Sequence, residues 1–268
     1  MRTHPLEIYA SSWALVTGAA REQGLGFAYA RQLAARHLKL VLVDILGPEL
    51  EARAKQLRDD YGVEVRTVAA DLADLAAYQR IDEATQDVSI DVLVCDHMYT
   101  PADTPTILDM DLAEHNRMID INARAYANLI HRFGNKMKAQ RRGAIVVVSS
   151  GAGLVPTPFT GAYAANKAFQ IALGEALWYE LRSSGVDVVV MVAGLMDTQG
   201  DVLSRYPQWL VADPNDAAAE TLRAIGRKHM IFPGRVNRLF LLLQTRLLSR
   251  RAAVNQIGGF MARGLGKT

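Results

Sequence analysis

Six short runs of nearly uninterrupted apolar residues punctuate the chain. They are WALVTG (Trp13–Gly18), LKLVLVD (Leu38–Asp44), VEVRTVAAD (Val63–Asp71), DVLVC (Asp91–Cys95), AIVVVSS (Ala144–Ser150) and VDVVVMVAG (Val186–Gly194). Runs this short and this apolar read as strands buried on both faces. Longer helical segments separate them, including Phe27–His37, Pro48–Tyr61, Leu112–Gln140 and Ala164–Ser184. A last short run, MIFPG (Met230–Gly234), predicts a seventh strand. The helix before it is expected to open at Asp213-Pro214, with Asp as the cap and Pro in the first turn. Strand–helix alternation of this kind predicts an α/β, doubly wound fold: a seven-stranded, mostly parallel sheet with helices on both faces. Without a linker or repeat, residues 1–268 read as one domain, with a core at 13–234 and a helical extension at 235–268.

Composition narrows the class. The chain has 268 residues, 50% of them hydrophobic, enough for one large core. Its single cysteine, Cys95, excludes an intrachain disulfide and suits a reducing cytosol. MRTHPLEIYASS at the N-terminus lacks the apolar run of a signal peptide. No stretch approaches the ~18 uninterrupted apolar residues of a spanning helix. A cytoplasmic location is therefore expected.

Charge is distributed unevenly. The formal net charge is +2, yet Thr221–Thr268 holds ten Lys or Arg and no Asp or Glu, leaving −8 on the remainder. Within this tail, Val236, Leu239, Phe240, Leu243, Leu247 and Leu248 recur at helical spacing among Arg235, Arg238, Arg246, Arg250 and Arg251. Three readings fit residues 235–263: a helix lying on an anionic membrane surface, a contact for an anionic partner or thioester carrier, or a helix packed on the body or a dimer mate. Nucleic acid is not an expected partner, because no recognition motif accompanies the charge.

The first strand runs into TGAAREQGLG (Thr17–Gly26), and a helix follows. Glycines in that context let the backbone approach a pyrophosphate, which the N–H groups of the helix N-terminus then hold. Five residues separate Gly18 from Gly24 and Leu25 follows, so this is not a Walker loop. Asp44 ends the second strand, 18 residues beyond Gly26, where a carboxylate can accept hydrogen bonds from an adenosine ribose. A negative charge there repels a 2′-phosphate and favours NAD. Arg21 in the loop would offset that repulsion and keeps NADP as the alternative. Asp44 also fits a plain helix cap.

A second constellation lies in SSGAGLVPTPFTGAYAANK (Ser149–Lys167). Tyr163 and Lys167 are four apart and share one helix face, and Ser150 ends a buried strand 13 residues before Tyr163. A phenol is a poor base at neutral pH, and a nearby ammonium is expected to lower its pKa. Such a set moves a proton at a carbinol or carbonyl oxygen while a cofactor moves hydride at carbon.

Taken in order, these motifs resemble the short-chain dehydrogenase/reductase family over roughly residues 13–234. The resemblance implies a Rossmann fold and a tetrad of Asn122, Ser150, Tyr163 and Lys167: Tyr as acid/base, Ser orienting the substrate, Lys binding the nicotinamide ribose, Asn holding a water in the proton relay. It also implies cofactor contacts from Gly18, Gly24, Leu25, Gly26, Asp71, Leu72, Tyr163, Lys167 and Thr198, to which the loop and strand reading above adds Arg21 and Asp44. No metal is expected, since the six histidines are scattered without ligand spacing.

Three features depart from the family pattern. The glycine loop is two residues longer, within AAREQ. Cys95–Met98, CDHM, replaces the family's N-N-A-G. Ala193 stands where a Pro is usual, which should loosen the turn before the substrate loop. His97 reads as structural and Cys95 as a buried strand residue. An apolar lid from Met196, Leu203, Tyr206, Trp209 and Leu210 would face Leu154, Val155, Pro156 and Phe159, unless these are core or interface residues.

The expected function is NAD(P)-dependent hydride transfer between nicotinamide and a lipophilic secondary alcohol or ketone. Alternatives are an NADPH-linked reductase of acyl thioesters or steroids, and a non-catalytic dinucleotide sensor or scaffold. The family resemblance implies a homodimer or homotetramer through the long central helices.

Overall fold

The computed structural model describes residues 5–101, 106–196, 198 and 211–264. Seven strands form one sheet: β1 (Trp13–Thr17), β2 (Lys39–Asp44), β3 (Val65–Ala69), β4 (Ile90–Cys95), β5 (Gly143–Ser150), β6 (Val186–Ala193) and β7 (Met230–Ile231). Their spatial order is β3-β2-β1-β4-β5-β6-β7, and every pairing is parallel. The direction of winding reverses between β1 and β4. A crevice opens there at the carboxyl ends of the strands, where open sheets of this type bind ligands.

Successive strand residues point to opposite faces, and each face is buried. Ala14, Val16, Val146 and Met191 pack with α1 (Leu25–Ala34), α2 (Gly47–Tyr61) and α7 (Pro214–Ala224). Leu15, Leu93, Ile145 and Val190 pack with α3 (Ala76–Thr85), α5 (Ala125–Gln140) and α6 (Gly161–Leu181). This two-sided burial explains the near-continuous apolar runs. The helix α3 adds one element to those the apolar pattern predicts.

Leu112–Gln140, expected as one helix, is continuous but not uniform. α4 (Leu112–Ile119) passes through a π-helical turn, Asp120–Arg124, before α5 begins. Asn122 sits within that turn and is fully buried. A π turn inserts one extra residue, so the side chains after it are rotated relative to an ideal α-helix.

The basic extension forms α8 (Arg235–Arg246) and α9 (Arg250–Gly264). Its packing departs from the spacing argument. The body-facing side of α8 is Asn237, Leu241 and Gln244, all buried, whereas Val236, Leu239, Phe240, Leu243, Leu247 and Leu248 are exposed. The seat decides this. Side-chain atoms of Asn237 stand 2.4 Å from where a Cβ on Gly194 would lie, and Leu241 Cδ2 stands 2.9 Å from the equivalent point on Gly151. α8 therefore presses on the residues that directly follow β5 and β6. Arg238 pairs with Glu220 of α7.

α7 begins as expected. Asp213 is its cap, its carboxylate accepting from the N–H groups of Asn215 (2.7 Å) and Asp216 (3.1 Å). Asp213→Ala should destabilise the protein by about 1 kcal/mol, the usual cost of losing such a cap. Urea denaturation should show a lower midpoint with an unchanged slope.

Candidate active site

The glycine loop lies at the carboxyl end of β1. Gly18 has φ +73°, a conformation that favours glycine. A Cβ on Gly26 would lie 2.3 Å from Gly18 O and 3.1 Å from Asp96 Oδ2, so no side chain fits there. The first turn of α1 therefore passes directly over the end of β1, with its free N–H groups at the crevice. That cradle fits a pyrophosphate. Gly24 precedes α1 as its cap residue, and Leu25, its first residue, is buried. The two extra residues of the loop form a closed turn: Gly24 N donates to Arg21 O at 2.9 Å, with Glu22 and Gln23 at the tip. Arg21 is exposed, and Glu22 pairs with Arg53 of α2 at 3.1 Å.

Asp44 closes the same crevice from β2. Its carboxylate accepts from Ala20 N at 3.0 Å and Leu46 N at 3.2 Å. It thus closes a turn just ahead of α2, whose cap residue Leu46 makes no side-chain bond, and braces the loop. A carboxylate has about four acceptor positions, so a ribose hydroxyl still finds a place. Asp71, beyond β3, accepts from Ala73 N at 3.0 Å and pairs with Arg117 at 2.8 Å. Burial pushes its carboxyl up, but these donors outweigh burial and hold it below the usual range. The neighbouring Leu72 is buried, and its carbonyl accepts from Tyr78 OH at 2.9 Å.

Ser150, Tyr163 and Lys167 meet at the end of β5. The Ser150 hydroxyl accepts from Ala152 N at 3.3 Å and acts on the Tyr163 phenol, lowering its pKa. Lys167 is buried, donates from Nζ to Val148 O at 3.4 Å and lies 5.6 Å from the Tyr163 ring centroid. Asn122 is held from both ends of its amide: Oδ1 accepts from Tyr99 N at 2.8 Å and Nδ2 donates to Tyr99 O at 2.6 Å. Its own carbonyl accepts from Gln170 of α6 at 2.8 Å. Thr198 N donates to Met196 O at 2.8 Å. Of the expected lid, Met196 is a buried core residue, while Leu203, Tyr206, Trp209 and Leu210 lie outside the described residues. On the facing side Val155 is buried and Leu154 packs against the sheet core.

One electrostatic expectation is corrected. Burial pushes the Tyr163 phenol up to about 12; the Ser150 hydroxyl pulls it down and the Asp96 charge adds to the rise. Burial dominates because it also weakens the neighbour meant to oppose it. Lys167 is itself held below the usual ammonium range by desolvation, with only Asp96 pulling it back up.

Asp96 and Thr17 are the residues that motif reading passed over, and His97, read there as structural, packs with them. The Thr17 hydroxyl accepts from Asp96 N at 3.1 Å and His97 N at 3.3 Å, and it lies 2.7 Å from His97 Nδ1. Burial and the Lys167 charge hold His97 down at about 3, with the Ile121 carbonyl acting in the other direction, so the ring is neutral. It packs on Tyr126 with centroids 4.3 Å apart, and Tyr126 OH donates to His97 O and Val148 O. CDHM thus ties the ends of β1, β4 and β5 together. Cys95 is buried, and burial pushes its thiol up, away from reactivity. No group of three or more His, Cys, Asp or Glu among the described residues is placed to hold a metal. One sequence signal did point here: a charged Asp ending a buried strand at the switch point.

A family model described as short chain dehydrogenase matches residues 12–206. The chain belongs to that family. It is an oxidoreductase built on the family's parallel sheet and glycine crevice. It is 30% identical to a 7beta-hydroxysteroid dehydrogenase of Clostridium sardiniense, over 84% of this chain and 87% of that protein. It is 32% identical to a very-long-chain 3-oxoacyl-CoA reductase of Lodderomyces elongisporus, over 81% of this chain and 64% of that one. It is also 31% identical to the human inactive hydroxysteroid dehydrogenase-like protein 1, over 80% of this chain and 66% of that one. Among solved structures, one from a study of 7beta-hydroxysteroid dehydrogenase stereoselectivity superposes with a TM-score of 0.87 at 25% identity, covering 94% of this chain and 98% of the other. A short-chain dehydrogenase from Sphingobium yanoikuyae in complex with NADPH gives 0.74 at 25% identity, covering 88% and 94%.

Replacing the Thr17 hydroxyl by a methyl tests the clasp. Thr17→Val keeps the shape of this dehydrogenase's β1 end but strands two N–H groups and the His97 ring nitrogen. A loss of about 2–3 kcal/mol is expected, as for buried polar groups left unpaired, measured by denaturant unfolding.

Proposed function

We propose that this protein transfers hydride between NAD(H) and a ring carbon of a lipophilic secondary alcohol or ketone of the steroid class. The observation that carries this reading is the meeting of Ser150, Tyr163 and Lys167 at the end of β5, beside the glycine crevice. When bound, the dinucleotide supplies or accepts the hydride. Ser150 orients the substrate oxygen by hydrogen bonding, and Tyr163 gives or takes the proton at that oxygen. Lys167 binds the nicotinamide ribose and supports the phenolate. Asn122, fixed through Tyr99, positions the relay beyond Lys167.

The steroid class is supported by the hydroxysteroid dehydrogenase relatives. The loop residues Gly18, Gly24, Leu25 and Gly26 hold the pyrophosphate, Asp44 the adenosine ribose, Asp71 and Leu72 the adenine, and Thr198 the nicotinamide end. Asp44 supports NAD, because its carboxylate faces the loop that a 2′-phosphate would approach. The NADPH-bound neighbour keeps NADP as the alternative, with exposed Arg21 as its counter-charge. An acyl-thioester ketone is the second substrate reading, supported by the 3-oxoacyl-CoA reductase relative.

The chain is proposed to act as one domain and as a homodimer or homotetramer through α4, α5 and α6, where Leu112, Ile119, Phe169, Trp178 and Tyr179 are exposed. Among the described residues no helix is long and apolar enough to cross a membrane. The exposed apolar face of α8, flanked by Arg235, Arg246 and Arg250, supports a peripheral contact with an anionic lipid surface.

Tyr163→Phe should lower turnover of a hydroxysteroid at least about a thousandfold while NADH affinity, measured by calorimetry, stays within about threefold. Full activity in that variant would remove Tyr163 from its role. Asp44→Ala should shift the ratio of kcat/KM for NAD over NADP towards NADP by about tenfold or more, since one repulsive charge is lost. An unchanged ratio would end the Asp44 assignment.

Because proton transfer to or from the substrate needs opposite states of Tyr163, the two directions should respond oppositely to pH. Alcohol oxidation needs the deprotonated oxygen and should accelerate as pH rises towards the high phenol pKa; ketone reduction should not. Steady-state rates in both directions from pH 6 to 10 check this.

A further inference from the structure

The glycine crevice contains a carboxylate that the proposed reaction does not use. Asp96 follows β4 at the switch point, and its side chain is turned beneath the glycine loop. Its Oδ2 lies 3.1 Å from the position of an added Cβ on Gly26. Gly26 belongs to the first turn of α1, whose N–H groups are the donors a pyrophosphate would use. Asp96 thus stands beside the helix end that the dinucleotide would engage. Two negative groups cannot share such a site without a proton or a counter-charge.

The groups around Asp96 leave few ways to supply one. Lys167 of α6 is the only cation acting on it among the described residues, and Asp44 of β2 adds a second negative charge. Tyr29 of α1, Cys95 of β4, Tyr126 of α5 and Tyr163 of α6 also feel its charge; burial pushes all four up, so they are neutral between pH 6 and 10. The partner cation is weakened by the same burial. A pyrophosphate arriving at α1 therefore meets two carboxylates, Asp44 and Asp96, and Lys167 is the cation that acts on Asp96.

We propose that Asp96 is the charge-setting residue of the dinucleotide site: it binds a proton when the pyrophosphate binds, so that the cofactor is taken up by the form in which Asp96 is neutral. Asp96 has a raised pKa already in the free protein, by desolvation and by Asp44, with Lys167 and Gly26 opposing. Its proton is therefore present at neutral pH and lost on the alkaline side. Affinity is full below that pKa and falls above it, by up to about tenfold per pH unit if only the neutral form binds.

This rests on the dinucleotide reading of the site, and calorimetric titration of the full chain with NADH from pH 6.5 to 9.5 separates the two. NADH itself keeps one charge state over that range. The wild-type protein should bind at pH 6.5, lose about tenfold or more in affinity by pH 9.5, and take up close to one proton per NADH near pH 8.5, read from buffers of different ionisation enthalpy. Asp96→Asn should match wild type at pH 6.5 and bind more tightly at pH 9.5, a gain that general damage does not produce. ADP-ribose, which carries the same diester pyrophosphate without the nicotinamide ring, should show the same proton uptake, and this arm stands even if the variant fails to fold. No NADH binding at pH 6.5 would overturn the dinucleotide reading. Binding that is level across the range, or proton uptake that persists in full in Asp96→Asn, would overturn the role of Asp96 and leave the dinucleotide reading intact.

Discussion

The active end of this molecule depends on one close approach. The first turn of α1 crosses the end of β1 so tightly that Gly26 has no room for a Cβ beside Gly18 O. That contact fixes where the free N–H groups of the helix point. It also brings α1 against the end of β4, where Asp96 and His97 hang from the Thr17 hydroxyl. The sheet reversal between β1 and β4 creates the crevice, but the missing side chain at Gly26 allows helix, loop and strand ends to close around it. Asp44, Lys167 and Tyr163 then inherit their spacing from strands and a helix already held in register.

Much of this was legible in the residues. Two-sided strands announced a parallel sheet, because only full burial tolerates runs such as AIVVVSS. The Tyr163–Lys167 spacing and the position of Ser150 placed three functional groups on two elements that must meet. Asp213-Pro214 marked a helix start because a cap and a fixed φ act within a few residues. What stayed hidden was set by contacts distant in sequence. The π turn at Asp120–Arg124 has no local signature; Asn122 is held by Tyr99, 23 residues away in sequence. The buried face of α8 could not be read from its leucines, since Asn237 and Leu241 were selected by the shape of their seat on Gly194 and Gly151. The pKa of Tyr163 depends on how much water its surroundings exclude, and spacing alone carries no such information.

The CDHM segment shows how a local departure is absorbed. A motif reader sees lost residues and suspects lost function. In the fold, Thr17 supplies one hydroxyl that meets two backbone N–H groups and a ring nitrogen, and Tyr126 closes the other side with one hydroxyl on two carbonyls. The imidazole is neutral and serves as a spacer. The change in composition therefore alters the charge of the crevice, through Asp96, more than its architecture.

The long glycine loop has a related lesson. Its extra length is gathered into a turn closed by its own Arg21–Gly24 hydrogen bond, with Glu22 tethered to Arg53. The turn is a self-contained blister, closed at its own base. Length variation of this sort is nearly invisible to the helix that follows. A lineage can therefore gain or shed such residues, and try new charges on the rim of the nucleotide crevice, without moving the helix whose first turn that crevice uses.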